Sequence, residues 1–129
     1  MAENTKVETK WIGDNPMMSA IHAQMEHCEN ILNDKFGDYG NHEDPYWHFN
    51  RAAELLEQTP EQVLMTLFSK HLTCIVEMAK DPGASVYLRW QEKLTDAINY
   101  LLILSSMVNA RYNAPQDPGE IIDRIARGK

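Results

Sequence analysis

The sequence predicts an all-α protein, a four-helix core with an extra short C-terminal helix, and three observations predict it. Proline follows a capping residue at Asn15-Pro16, Asp44-Pro45, Thr59-Pro60 and Asp117-Pro118. That dipeptide marks a helix start, because the first helical position has no use for an N–H and the preceding side chain can accept from orphan amides. Between these starts apolar residues recur at three- and four-residue steps, the spacing of one helix face. No run of five or six residues alternates apolar with polar as a half-buried strand does, and the chain holds no internal repeat or low-complexity tract.

The first helix is expected over 16–35, with Met18, Ile21, Met25, Cys28 and Leu32 on one stripe and Gly37 as its C-terminal stop. A second, over 45–57, carries Phe49, Ala52, Ala53 and Leu56. A third begins at Pro60, where Thr59 and Gln62 have the spacing of a capping box. It runs to about Lys80 with Val63, Leu67, Cys74 and Met78 inward, flanked by Leu64, Phe68 and Ile75, and Asp81-Pro82-Gly83 ends it. The fourth and longest, over 86–111, places Trp90, Leu94, Ala97, Leu101, Leu104 and Val108 on its apolar stripe. A short fifth starts at Pro118 with Ile121, Ile122 and Ile125. Residues 1–14 read as a flexible polar segment, and 15–129 as a single domain.

Composition narrows the function classes. A hydrophobic fraction of 43% is ordinary for a globular chain and argues against disorder. The net charge of −7, with no local cluster of lysine or arginine, argues against nucleic-acid binding, which needs cations to displace phosphate counterions. The most apolar run, from Ala97 to Val108, is too short to span a bilayer and contains Asn99, Ser105 and Ser106. No membrane partner and a cytoplasmic location are therefore expected. That run is also too apolar all round for a surface helix, so a homo-oligomer, most simply a dimer paired through helix four, is predicted. Cys28 and Cys74 form no Cys-x-x-Cys pair and read as reduced, buried thiols.

Chemistry-bearing residues fall at three places. In Phe36-Gly37-Asp38-Tyr39-Gly40-Asn41 the glycines leave backbone amides open to a phosphate, Tyr39 can stack on a base, and Asp38 can bind a cation or a ribose hydroxyl. The same residues also read as a helix stop and a turn, with Tyr39 plugging the core. Glu92 and Asp96, one turn apart, can converge on a hard cation such as Mg²⁺. They equally fit a solvated acidic face balanced by Lys93 or Arg89; Asn99 and Tyr100 continue that face, which turns apolar at Ile103 and Met107 and puts Asp96 at the core boundary. Lys70 interrupts an apolar stripe, so it reaches solvent, a carboxylate or a ligand. Its neighbour His71 reads as a hydrogen-bonded core histidine. Glu54 and Glu57 form a further acidic pair, while His42, Glu43 and His48 lack any recognised zinc spacing. There is no P-loop, nucleophile elbow, His-Glu-x-x-His or dinucleotide fingerprint.

Taken in order, these residues resemble the phage-associated "nucleotide modification associated domain" family. The resemblance runs through Asp38-Tyr39-Gly40, the helix at His48-Phe49 with Arg51-Ala52-Ala53-x-Leu55, Thr59-Pro60-Glu61-Gln62-Val63, Lys70 and Glu92-x-x-x-Asp96-x-x-x-Tyr100, and it covers about residues 32–108. The chain departs from the family pattern in having Glu92 for an aspartate, Thr73 for an arginine, and an interval from Thr59 to Lys70 one residue short. The layout is also similar to all-α nucleoside triphosphate pyrophosphohydrolases of the MazG and dimeric dUTPase type, whose paired carboxylates bind Mg²⁺; Glu54/Glu57 and Glu92/Asp96 mimic those pairs. The resemblance implies a phage-type nucleotide-acting protein, in its strongest form a Mg²⁺-dependent (deoxy)nucleoside triphosphate pyrophosphohydrolase. In that form Glu92, Asp96 and Asp38 hold metal, Lys70 and Gly40 face phosphate, and Tyr39 meets the base. The alternatives are a non-catalytic nucleotide binder that sequesters or senses its ligand, and a structural helical oligomer that binds a host or phage protein.

Overall fold

A computed structural model describes residues 15–39, 43–114 and 126. Its described residues form four α-helices and no strand: α1 Pro16–Tyr39, α2 Trp47–Leu56, α3 Pro60–Ala79 and α4 Tyr87–Asn113. A 3₁₀ turn, Pro82–Ala84, joins α3 to α4. The all-α class follows. The expected fifth helix at Pro118 and the segment 1–14 lie outside the described residues. No described helix is long and apolar enough to cross a membrane.

The helix starts obey the capping logic. Asn15 Oδ1 accepts from the Met17 and Met18 amides at 2.9 and 3.2 Å. Thr59 Oγ1 accepts from the Gln62 amide at 3.0 Å, while Gln62 Oε1 accepts from the Thr59 amide at 2.9 Å, completing the capping box. At Asp44-Pro45 the helix begins two residues later than expected. Asp44 accepts from the Tyr46 amide and, through its other oxygen, from the Asn50 side chain, each at 2.9 Å, so it shapes a turn ahead of Trp47. α2 ends on Glu57 in the left-handed region, φ 55°, the one non-glycine residue of this kind described.

Two expectations about helices change. α1 continues past Lys35 to Tyr39, so Gly37, Asp38 and Tyr39 belong to its last turn rather than to a separate turn. A glycine costs a helix only about 1 kcal/mol and does not end it by itself. On α4 half of the expected inward stripe is outward: Leu94, Leu101 and Val108 are exposed, while Ala97 is buried and Trp90 and Leu104 half-buried as expected, and Thr95, Asn99 and Met107 are buried beside them. On the face that α4 turns toward its own bundle Thr95 accepts from Gln24 across helices, whereas Asn99 Oδ1 has no partner.

Cross-helix contacts fix the directions. Arg111 with Glu61, the Tyr100 ring with His71, and Arg89 with Cys74 occur in reverse order along α3 and α4, so these helices are antiparallel. Gln24 bonds Thr95, and Leu32 shares a pocket with Ile103, so α1 runs parallel to α4. The apolar core gathers at the end where α2 packs, around Phe49, Ala53, Val63, Leu64 and Met107. Leu64 and Cys28 are fully buried. Both cysteines are unpaired thiols, Cys28 buried and Cys74 half-buried.

Candidate functional site

The middle of the bundle is polar. From α1 the Gln24 side-chain amide donates to Thr95 Oγ1 at 2.8 Å and to Cys28 Sγ at 3.3 Å. From α3 comes His71, whose ring lies 5.3 Å from that of Tyr100, tilted at 41°. From α4 come Thr95, Asp96 and Asn99, successive residues of one inward face; Asn99 is only 5% exposed. Two buried atoms in this seam have no hydrogen-bond partner, His71 Nδ1 and Asn99 Oδ1. An unpaired buried polar atom costs about 1–3 kcal/mol, so such atoms are rare and ask for a reason.

The charges around His71 are distinctive. Its proton affinity is lowered, chiefly by burial; Asp96 pulls it back up, and Lys93, Lys70 and Lys35 push it down further. Asp96 Oδ2 stands 3.8 Å from His71 Nδ1, too far for a hydrogen bond. Burial disfavours the charged form of His71, and its 3.8 Å approach to Asp96 is not a hydrogen-bonded ion pair. The expected hydrogen-bonded core histidine is corrected accordingly: the ring is half-buried and its Nδ1 is unpaired. Lysines from three helices therefore act on one point in a chain of net charge −7. Among the described residues none of the three lysines makes an ion pair, whereas Lys80 pairs with Glu77 and Arg111 with Glu61.

The residues singled out from sequence fall as follows. Lys70 is exposed and reaches solvent beside His71, without a carboxylate partner. Asp96 sits at the core boundary, half-buried, and Glu92 one turn away is exposed. Asp96 and Lys70 both act by charge on His71. Asp38 does not join them through its backbone. With Gln24 level with Thr95, Asp38 lies thirteen residues beyond the level of Asp96, about 20 Å at 1.5 Å per residue. The side chains of Asp38 and Tyr39, and Gly40 altogether, lie outside the described residues. Glu54 is paired with Arg51 at 3.0 Å on the exposed face of α2, and Glu57 is the left-handed cap. Among the described residues no three His, Cys, Asp or Glu side chains gather to hold a metal ion.

Sequence reasoning missed Gln24, Lys35 and Thr95, and gave Lys93 only a balancing role. Thr95 and Asn99 were legible as polar residues beside Asp96 on one helix face. Lys35 carried no such signal, because its approach depends on α1 running parallel to α4.

Comparison with protein-family models, with curated proteins and with solved structures gives no match for this chain. The fold and the seam are therefore read on their own geometry. Helix bundles in general build ligand sites between facing helices.

Proposed function

We propose that this chain binds a nucleotide or nucleoside phosphate at the polar seam between α1, α3 and α4. The observation that supports it is the polar seam with two unpartnered buried atoms, His71 Nδ1 and Asn99 Oδ1, where the charges of Lys93, Lys70 and, last, Lys35 act on His71 and none of the three lysines forms an ion pair among the described residues. Phosphate oxygens are the groups that three lysine point charges suit, and an acidic protein loses its long-range repulsion for such a ligand where cations cluster. The unpaired Asn99 oxygen and His71 nitrogen supply an acceptor and a neutral ring nitrogen for directional bonds. The Tyr100 and His71 rings offer apolar surface to a base.

Hydrolysis is the stronger form of the same proposal. Glu92 and Asp96 would hold a Mg²⁺ ion as two of its oxygen ligands, the others coming from water and ligand phosphates. The metal would supply Lewis-acid charge at the phosphoryl group, while Lys70 and Lys93 would neutralise phosphate. The lysines speak for binding, with or without turnover. Self-association belongs to the reading too, because α4 exposes Leu94, Leu101 and Val108.

A thermal-shift screen of nucleoside mono-, di- and triphosphates, with and without Mg²⁺, tests the reading. Occupancy at a hundredfold excess over Kd adds about 2.7 kcal/mol to the folded state, a shift of several degrees for a chain this small. Release of pyrophosphate with Mg²⁺ identifies an enzyme; a shift without turnover identifies a sequestering or sensing protein. No shift with any nucleotide, metal or not, contradicts the proposal.

A further inference from the structure

A cavity of about 250 Å³ lies where α1, α4, α2 and the turn ahead of α2 meet. Leu32, Pro45, Phe49 and Ile103 give it apolar walls, and Tyr46 and Ser106 bring the hydroxyls among its lining residues. Ile103 stands seven residues beyond Asp96 on α4, about 10 Å along the helix. No residue of the lysine seam lines the cavity. Its volume falls below that of sites for drug-sized ligands and suits one flat ring system. The two hydroxyls form a relay whose direction is fixed. Ser106 Oγ lies 2.7 Å from the Ile103 carbonyl, which can only accept, so Ser106 directs its one proton there. Tyr46 Oη, 2.9 Å from Ser106 Oγ, therefore donates to it. Both protons are committed within the protein, and the relay has only lone pairs left to offer; Tyr46 Oη accepts no hydrogen bond among the described residues. The turn that carries the phenol is held as well. The Tyr46 amide donates to Asp44 Oδ1, and Asp44 Oδ2 accepts from the Asn50 side chain, each at 2.9 Å. Asn33 also lines the cavity; it is exposed and has both donor and acceptor atoms.

We propose that this cavity binds an amino-bearing purine ring, the chemistry of adenine, with the amino group donating to Tyr46 Oη. The Phe49 and Tyr46 rings and the aliphatic walls suit a flat aromatic face. The relay accepts a donor and rejects an acceptor. A ring nitrogen or carbonyl oxygen set against Tyr46 Oη meets a lone pair with no proton between them, and a desolvated polar contact without a proton is costly. Because Asp44 and Ser106 already fix the turn and the phenol, little ordering remains for the ligand to impose. The inference does not rest on the nucleotide reading of the seam, and it needs no phosphate.

NMR titration of the full chain with phosphate-free nucleosides tests it. Adenosine should bind, and purine riboside, which is adenosine without its amino group, should bind about three- to tenfold more weakly, the worth of one hydrogen bond. Tyr46→Phe should weaken adenosine by the same factor and leave purine riboside unchanged. Ser106→Ala supplies a readout that a merely structural hydroxyl would not move. It frees the Tyr46 proton to donate, so purine riboside should gain affinity and the preference for adenosine should narrow or reverse. Should Tyr46→Phe fail to fold, Ser106→Ala, at an exposed position, still decides. A Lys70→Ala/Lys93→Ala variant should bind adenosine as wild type does, which separates this cavity from the phosphate site; loss of adenosine there places the ring in the seam and overturns the inference. Adenosine that does not bind at millimolar concentration, equal affinity for adenosine and purine riboside, or a preference untouched by Ser106→Ala also overturns it.

Discussion

Asn99 carries the sharpest consequence at the scale of single residues. Its buried amide oxygen has no partner, so Asn99→Leu removes a desolvated acceptor of similar volume and should leave stability unchanged or raise it by about 1 kcal/mol. The same change should abolish nucleotide binding, since the acceptor aimed into the seam is gone. Chemical denaturation and a binding assay on one sample check both halves; a variant that loses stability by several kcal/mol shows Asn99 to be structural. Asp96→Asn separates two roles for its neighbour. If Asp96 holds Mg²⁺, metal-dependent binding or turnover falls by orders of magnitude while the fold persists. If Asp96 is surface only, neither stability nor binding moves. His71 gives a pH signature. Its folded proton affinity lies below the ordinary value of 6.5, through burial and then the three lysines, against Asp96. The stability it contributes is therefore present above about pH 6.5 and lost as the pH falls through the lowered folded value. His71→Asn should flatten the wild-type loss of melting temperature below pH 6.5; an identical slope in both proteins refutes the assignment. Part of this was legible from sequence: Lys70, Asp96 and Asn99 were visible as polar breaks in helical stripes. The lowered proton affinity of His71 was not, because it depends first on burial and then on lysine charges from three helices, which only the packing supplies.

Helices were more legible than the surfaces they bury. The Asn15 and Thr59 starts follow from local hydrogen bonding between residues two or three apart, which sequence records directly. Thr59→Ala should cost about 1 kcal/mol by denaturant titration, since it removes the accepting oxygen of a complete capping box. No change would mean that tertiary packing alone fixes the start of α3. The faces of α4 were misassigned because both are partly apolar: Leu94, Leu101 and Val108 form the stronger stripe, yet the bundle takes the face of Thr95, Asp96 and Asn99. Periodicity identifies an apolar stripe but not its partner. On α1 the same ambiguity leaves Met17, Ile21 and Met25 exposed while Cys28 is buried. The Glu61–Arg111 pair, with two contacts of 2.8 Å, ties the start of α3 to the end of α4. Arg111 lies mostly in solvent, so Arg111→Ala should cost no more than about 1 kcal/mol.

The whole molecule joins two features that a simple bundle would avoid: a polar middle with unpaired atoms, and a leucine seam facing out. Each costs stability in an isolated chain, and each would be relieved by a proposed partner, a ligand group that donates to Asn99 Oδ1 for the first and self-association for the second. The all-α class was readable from capping and periodicity, whereas the seam and the lysine cluster needed helix directions that only the packing supplies. Asp38, set about 20 Å along α1 from the level of Asp96, shows the same limit, since nearness in motif order is not nearness in space. The central claim, proposed from the charges around His71, is that Lys70 and Lys93 bind phosphate at the seam. Calorimetric titration of the nucleotide giving the largest thermal shift, into wild type and into a Lys70→Ala/Lys93→Ala variant, tests it most directly. The account predicts micromolar or tighter binding to wild type that weakens with added salt, and at least tenfold weaker binding to the variant at equal helicity. Equal affinity for both proteins would contradict it.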